Sequence, residues 1–150
     1  MTAVGLSGAT QLACRLKSNL FMERQHYIDT LLEHYEASPY RQARPEADVV
    51  SQGNNPGCGD VITIYLNVDE NNHAQEVWFE GEGCTISQAS VSILLEQVQG
   101  KPLAEIEAIS YNDLVETLGK DVVLTRVRCA VLGLKTLHEA IQQYNARQAV

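Results

Sequence analysis

A chain of 150 residues, 45% hydrophobic and 20% charged, has the size and composition of one globular domain with a sizeable core. Its formal net charge of −8, with no Lys/Arg run to offset it, argues against a nucleic-acid partner, whose binding rests on neutralising phosphates. No run approaches the roughly 18 apolar residues of a membrane span, and the opening residues lack the basic and apolar regions of a secretory signal, so a cytoplasmic location with no membrane partner is expected.

Residues 1–17 read as a flexible leader and residues 18–150 as a single domain. Over residues 18–36 the apolar positions Leu20, Tyr27, Ile28, Leu31, Leu32 and Tyr35 recur at helical spacing. Ser38-Pro39 ends that helix, because the residue before a proline disfavours the α region. A polar connection containing Pro45 leads to Val49-Val50, a short edge strand. Residues 61–68 alternate, with Ile62, Ile64, Leu66 and Val68 on one side and Val61, Thr63, Tyr65 and Asn67 on the other. The turn-rich stretch 69–73 then returns the chain as a strand over residues 76–80. From 87 to 99 the period becomes helical, with Ile86, Ser90, Ile93, Leu94 and Val98 on one stripe. Gly100 stops that helix and Pro102 opens a short one. Residues 111–118 form another, closed by Gly119. The last helix begins near Cys129 and buries Ala130, Leu134, Leu137, Ile141 and Tyr144. Strands first and helices later predict an α+β class: a small antiparallel three-stranded sheet packed on one face by helices.

Four cysteines in a cytoplasmic chain point to thiols or metal ligands rather than disulfides. Cys58 sits in Asn55-Pro56-Gly57-Cys58-Gly59-Asp60, and Cys84 in Gly81-Glu82-Gly83-Cys84-Thr85-Ile86-Ser87. Cys129 follows Arg126-Val127-Arg128. Cys84 and Cys129 stand where helices begin, and amides exposed there favour the thiolate. Arg126 and Arg128 could stabilise such a thiolate or steer an anionic sulfur species. A cysteine packed under a hairpin is the alternative for Cys84, and solvated strand arginines are the alternative for that pair. Asp60 converges with Cys58 if the loop bends at Gly59; otherwise it caps the start of a strand. Three thiolates and one carboxylate would hold Zn²⁺ or an iron–sulfur cluster, the carboxylate being the harder and more readily displaced ligand. The intervals of 26 and 45 residues between these cysteines match no zinc-finger pattern, so tertiary structure must assemble the site. Cys14 has no comparable neighbours. His26, His34, His73 and His138 are scattered and read as surface or packing residues. Gly81-Glu82-Gly83 begins a dinucleotide fingerprint, but Ile86 stands where its third glycine belongs.

Taken in order, the three cysteine motifs, the second continuing as Gln88-Ala89-Ser90 and the third as Ala130, resemble the U-type iron–sulfur assembly proteins. That family comprises IscU, SufU and the N-terminal domain of NifU, and the likeness covers roughly residues 20 to 145. It implies an α+β fold with the ligands at one exposed corner. Carried over by motif, the ligand set is Cys58, Asp60, Cys84 and Cys129, serving a transient 2Fe–2S cluster or Zn²⁺. The three cysteines are then candidate persulfide acceptors, with Arg126 in support. The resemblance also implies two partners, a pyridoxal-phosphate cysteine desulfurase and apo-proteins that accept the cluster, and leaves homo-oligomerisation open. IscU-type members usually carry histidine where this chain has Arg128, and a Leu-Pro-Pro-Val-Lys chaperone-recognition stretch where it has Leu124-Thr125-Arg126-Val127-Arg128. SufU-type members carry an insertion between the second and third cysteines that the interval here cannot hold. The expectation is a non-enzymatic scaffold that builds a cluster and passes it on. The alternatives are a zinc-dependent sulfurtransferase that activates the desulfurase, and a degenerate member with a structural zinc.

Overall fold

The computed structural model describes residues 23–57 and 59–149. The expected leader, the start of the expected first helix, Cys14 and Cys58 lie outside them.

The first described helix, α1, covers residues 23–36 and stops just before Ser38-Pro39. Its buried line is narrower than its apolar spacing suggested. Leu31 is buried, whereas Leu32 and Tyr35 are exposed. Successive helical residues lie about 100° apart, so a helix resting on its neighbours along Tyr27, Leu31 and His34 turns Leu32 and Tyr35 away. His34 fastens this helix to the body: its Nδ1 lies 2.8 Å from Ser92 Oγ and its Nε2 3.0 Å from a Glu96 carboxylate oxygen.

Three antiparallel strands follow in the spatial order β1 (Val49–Asn55), β2 (Asp60–Val68), β3 (Ala74–Glu82). The first is seven residues long, beyond the expected pair of valines, because polar Gln52 and Asn54 alternate toward solvent while Val49 and Ser51 face inward. The β2–β3 turn is built by the Asp69 carboxylate, which accepts the backbone N–H groups of Asn71 and His73 at 2.9 Å each. Ile62, Ile64, Leu66, Val77 and Phe79 are wholly buried on the helix-covered face. Each such side chain contributes about 1.5–3 kcal/mol through burial. The other face carries Tyr65, which donates to the Glu80 carboxylate, and Trp78, whose ring lies 4.4 Å from the Arg44 guanidinium carbon.

The outer edge of β3 is capped by side chain and chain together. Gln99 grips Val77 at both backbone groups: its Nε2 donates to the carbonyl at 2.8 Å and its Oε1 accepts the N–H at 3.0 Å. Phe79 donates to Tyr40 O and accepts from the Gln42 N–H, both at 2.9 Å.

Helix α2 (Thr85–Val98) departs from the expected single stripe: residues 87–95 are all buried. It is wedged between β3, α1 and the last helix, which suits the small side chains of Ser87, Ala89, Ser90 and Ser92. Helices α3 (Leu103–Glu107) and α4 (Tyr111–Leu118) follow Pro102 and Ser110. Ser110 and Asp113 form a reciprocal capping box at the start of α4. Two short turns not expected from the sequence come next, α5 (Lys120–Val123) and a single 3-10 turn (Leu124–Arg126). Arg126 and Arg128 are therefore helical rather than strand residues. The last helix, α6 (Val127–Gln148), packs across β1 and β2 and against α2, burying Ala130, Leu134, Leu137 and Ile141, with Tyr144 half-buried at its rim. Among the described residues, no helix is long and apolar enough to cross a membrane.

Candidate metal centre

Three separate chain segments end at one corner of the sheet. Asp60 is the first residue of β2, paired across the ladder with Asn55. Cys84 is the N-cap residue of α2, directly after β3. Cys129 is the third residue of α6. The loop before Asp60 bends at Gly59, which has φ +74° and donates its N–H to Asn55 O at 3.0 Å. Asn55 in turn donates from Nδ2 to Arg128 O at 3.1 Å, which ties the end of β1 to the start of α6.

One ligand atom each from Asp60, Cys84 and Cys129 lie within 4.8 Å of one another. Cys84 Sγ is 3.9 Å from an Asp60 oxygen. Ligands around a tetrahedral Zn²⁺ with bonds near 2.3 Å stand about 3.8 Å apart, so a contraction of about 1 Å at most brings this set to bonding distance. Two soft sulfurs and one hard oxygen suit Zn²⁺ or iron. The structure thus brings together three of the four expected ligands; Cys58 lies outside the described residues.

The corner is organised around a carboxylate. Asp60 is fully buried. Its Oδ1 accepts the Cys84 backbone N–H at 2.8 Å. Burial pushes the carboxyl group up, but hydrogen bonds from the Cys129 thiol, the Cys84 amide, Asn55 and Ser87 outweigh it and hold the group below its ordinary value of 3.8. Gly83 makes this close approach possible. A Cβ there would stand 2.1 Å from Asp60 Oδ1, and its φ of +133° is one that side-chain-bearing residues rarely adopt.

Cys129 departs from the expectation of a lowered pKa. Burial first, then its hydrogen bonds to Asp60 and Cys84 and the negative charge of those groups, push its thiol well above the ordinary value of 9.0. The helix start is outweighed because Cys129 is only 1% exposed and faces the Asp60 carboxylate.

Two opposite pH trends are expected. A thiol with a raised folded pKa holds its proton more firmly folded than unfolded. That contribution to stability is present below pH 9.0 and is lost as pH rises above it. Metal binding must expel the same proton, so Zn²⁺ affinity should rise with pH, about tenfold per unit for each proton displaced. Melting curves and competitive zinc titrations across a pH series check both, and a pH-independent affinity would remove Cys129 from the ligand set.

Arg126 and Arg128 are both exposed, and neither side chain makes a hydrogen bond or ion pair among the described residues. Asn55 and Ser87 support this corner without standing out by motif: Asn55 ties β1 to α6, and Ser87 donates its hydroxyl proton to Cys84 O at 3.0 Å. Its signal was the polar residue three places after the N-cap, where side chains commonly return to the cap.

The family of NifU-like N terminal domains matches residues 26–150. A Thermotoga maritima protein named iron–sulfur cluster assembly scaffold protein IscU is 35% identical over 133 residues, which cover 78% of this chain and 93% of the relative. The crystal structure of a putative iron–sulfur cluster assembly scaffold protein for the SUF system from Fervidobacterium islandicum AW-1 superposes with a TM-score of 0.63. It is 28% identical and covers 75% of this chain and 93% of that one. A nitrogen-fixing NifU-like protein (N-terminal) from Brucella abortus, 18% identical with a TM-score of 0.67 over 78% of this chain and 92% of that one, has the same fold.

Proposed function

The chain belongs to the family of NifU-like N-terminal domains, the U-type scaffold family, and on that premise we propose that it is an iron–sulfur cluster assembly scaffold. Its cargo is a 2Fe–2S cluster assembled from iron and from sulfur delivered by a cysteine desulfurase, then passed to apo-proteins. The observation that carries this reading is the approach of Asp60, Cys84 and Cys129 within 4.8 Å at the meeting of three segments. Cys58, two residues before Asp60, completes the proposed ligand set. The three cysteines are the candidate sulfur acceptors.

Each residue has a distinct task. Cys84 is half-buried and forms the accessible side of the corner, whereas Cys129 and Asp60 form its floor. Asp60 supplies the hard ligand, which water or an acceptor's thiolate displaces more readily than it displaces sulfur. Arg126 and Arg128 place two exposed cations beside Cys129 on a chain of net charge −8, where they draw anionic sulfur toward the corner. Zn²⁺ fits the same donors, and when bound there it would hold the cysteines as thiolates.

The test is reconstitution. Given a desulfurase, cysteine, a reductant and ferrous iron without zinc, the protein is expected to develop the visible absorption of a 2Fe–2S cluster. If it instead retains one zinc, never accumulates iron and stimulates desulfurase turnover only when zinc-loaded, the sulfurtransferase reading replaces this one.

A further inference from the structure

Among the described residues, the capping of the β3 edge leaves a gap near its C-terminal end. Val77 and Phe79 direct their backbone groups outward and have them satisfied by Gln99, Tyr40 and Gln42. In an antiparallel ladder every second residue faces the same way, so Gly81 is the next in this series. Neither of its backbone groups is hydrogen-bonded among the described residues. The segment covering Phe79 turns away after Gln42, toward the Arg44–Trp78 stack.

A second observation lies beside this gap. Gln88 is 5% exposed, yet its side-chain amide makes no hydrogen bond among the described residues. Its Oε1 and Nε2 both stand 3.0 Å from where a Cβ on Gly81 would be. Tyr35, Glu36, Arg41, Gly81, Glu82 and Gln88 line a groove of about 450 Å³, which runs to Gly83 beside Cys84. The amide is not sealed off: its polar atoms reach the groove, where an entering peptide unit can meet them. Gln99 shows, on this same strand, what such an amide does with a peptide unit: it donates and accepts at once.

We propose that this groove receives an extended peptide segment of the sulfur-delivering partner, which pairs with the open edge of β3 at Gly81 and exchanges hydrogen bonds with the Gln88 amide. The inference rests on the scaffold reading, from which it takes the partner. Charge narrows the occupant. The rim carries two exposed carboxylates, Glu36 and Glu82, against one cation, Arg41, whose guanidinium donates to Tyr35 O at 2.9 Å and lies over the Phe79 ring. The rim therefore selects a neutral or basic segment. At about 3.3 Å per strand residue, two or three further residues bring that segment from Gly81 to Cys84. Addition to a strand edge supplies affinity through main-chain bonds, leaving side chains free to carry sulfur.

The experiment combines the full chain with the cysteine desulfurase of the same organism and follows amide exchange and affinity. The Gly81 amide is expected to exchange rapidly in the free protein and to be protected in the complex. Gln88→Met keeps the side-chain length and removes the hydrogen bonds; it is expected to weaken association about tenfold while leaving zinc uptake unchanged. Glu36→Lys/Glu82→Lys, confined to exposed positions, should weaken it similarly and keeps the test open should Gln88→Met fail to fold. Unchanged affinity of the variants with an unprotected Gly81 amide, alongside normal cluster assembly, overturns the docking site alone. Protection of Gly81 by self-association without the desulfurase also overturns it. A desulfurase that does not bind the unaltered chain overturns both this inference and the scaffold reading.

Discussion

Serine in place of Cys84 or of Cys129 is expected to abolish or greatly weaken the visible absorption of the reconstituted 2Fe–2S cluster, whereas Asp60→Ala is expected to keep the absorption and slow its transfer. The two thiols supply the soft donors that iron–sulfur chemistry requires, and they lie with the Asp60 carboxylate inside 4.8 Å. A hydroxyl in place of either sulfur is a poor ligand at neutral pH. Cys58→Ser is expected to behave like the other two. Removing the Asp60 carboxylate takes away the hard ligand that water displaces most easily, so the cluster becomes less exchangeable. The same change leaves the Cys84 N–H without its 2.8 Å acceptor and should cost the metal-free fold about 1–3 kcal/mol. Absorption spectra after anaerobic reconstitution, then timed transfer to an apo-ferredoxin, measure both effects. Faster transfer from Asp60→Ala would count against a labile carboxylate ligand, and full absorption from Cys84→Ser or Cys129→Ser would remove that residue from the set.

Gly83→Ala is expected to be the most damaging single methyl addition at this corner. The new Cβ would stand 2.1 Å from Asp60 Oδ1 and 2.8 Å from Asp60 Cα, so backbone as well as side chain must move. The φ of +133° adds strain that alanine does not relieve. Strain and overpacking together should cost roughly 2–5 kcal/mol and disrupt the Asp60–Cys84 hydrogen bond. Gly100→Ala separates the two causes, since Gly100 has φ +75° but no atom within 4 Å of a new Cβ. It should lose only the backbone portion, about 1–3 kcal/mol, and leave zinc affinity intact. Thermal melts with zinc titrations compare the pair. Equal losses from both variants, with normal zinc binding in Gly83→Ala, would show that the Asp60 cradle does not depend on this glycine.

Much of the fold was legible because local pattern carries it. The alternation over residues 61–68 predicted a strand with Ile62, Ile64 and Leu66 inward, and these are wholly buried. Gly100, Pro102 and Gly119 marked real boundaries, since backbone limits at glycine and proline act within a few residues. Other features depended on what packs where. The spacing in α1 could not reveal that Leu32 and Tyr35 face outward, because it records apolar positions and not the width of the surface they meet. The burial of residues 87–95 on every side of α2 was hidden for the same reason: one stripe was expected, through Ile86, Ser90, Ile93, Leu94 and Val98, and packing against α1 and α6, with His34 and Ser38 meeting Ser92, covers the rest.

The corner divides the same way. The chain by itself determined which residues are candidates for ligand chemistry, through the glycine- and arginine-flanked motifs around Cys84 and Cys129 and the aspartate two residues after Cys58, since residue type and immediate neighbours are local properties. Only the tertiary structure decided that positions 60, 84 and 129 meet, that the Cys129 thiol is pushed up rather than down, and that the edge of β3 is capped at Val77 and Phe79 but, among the described residues, left open at Gly81. Each of these depends on distances between segments far apart in the chain, and on the desolvation and hydrogen bonds such approaches impose, which no spacing along a sequence encodes.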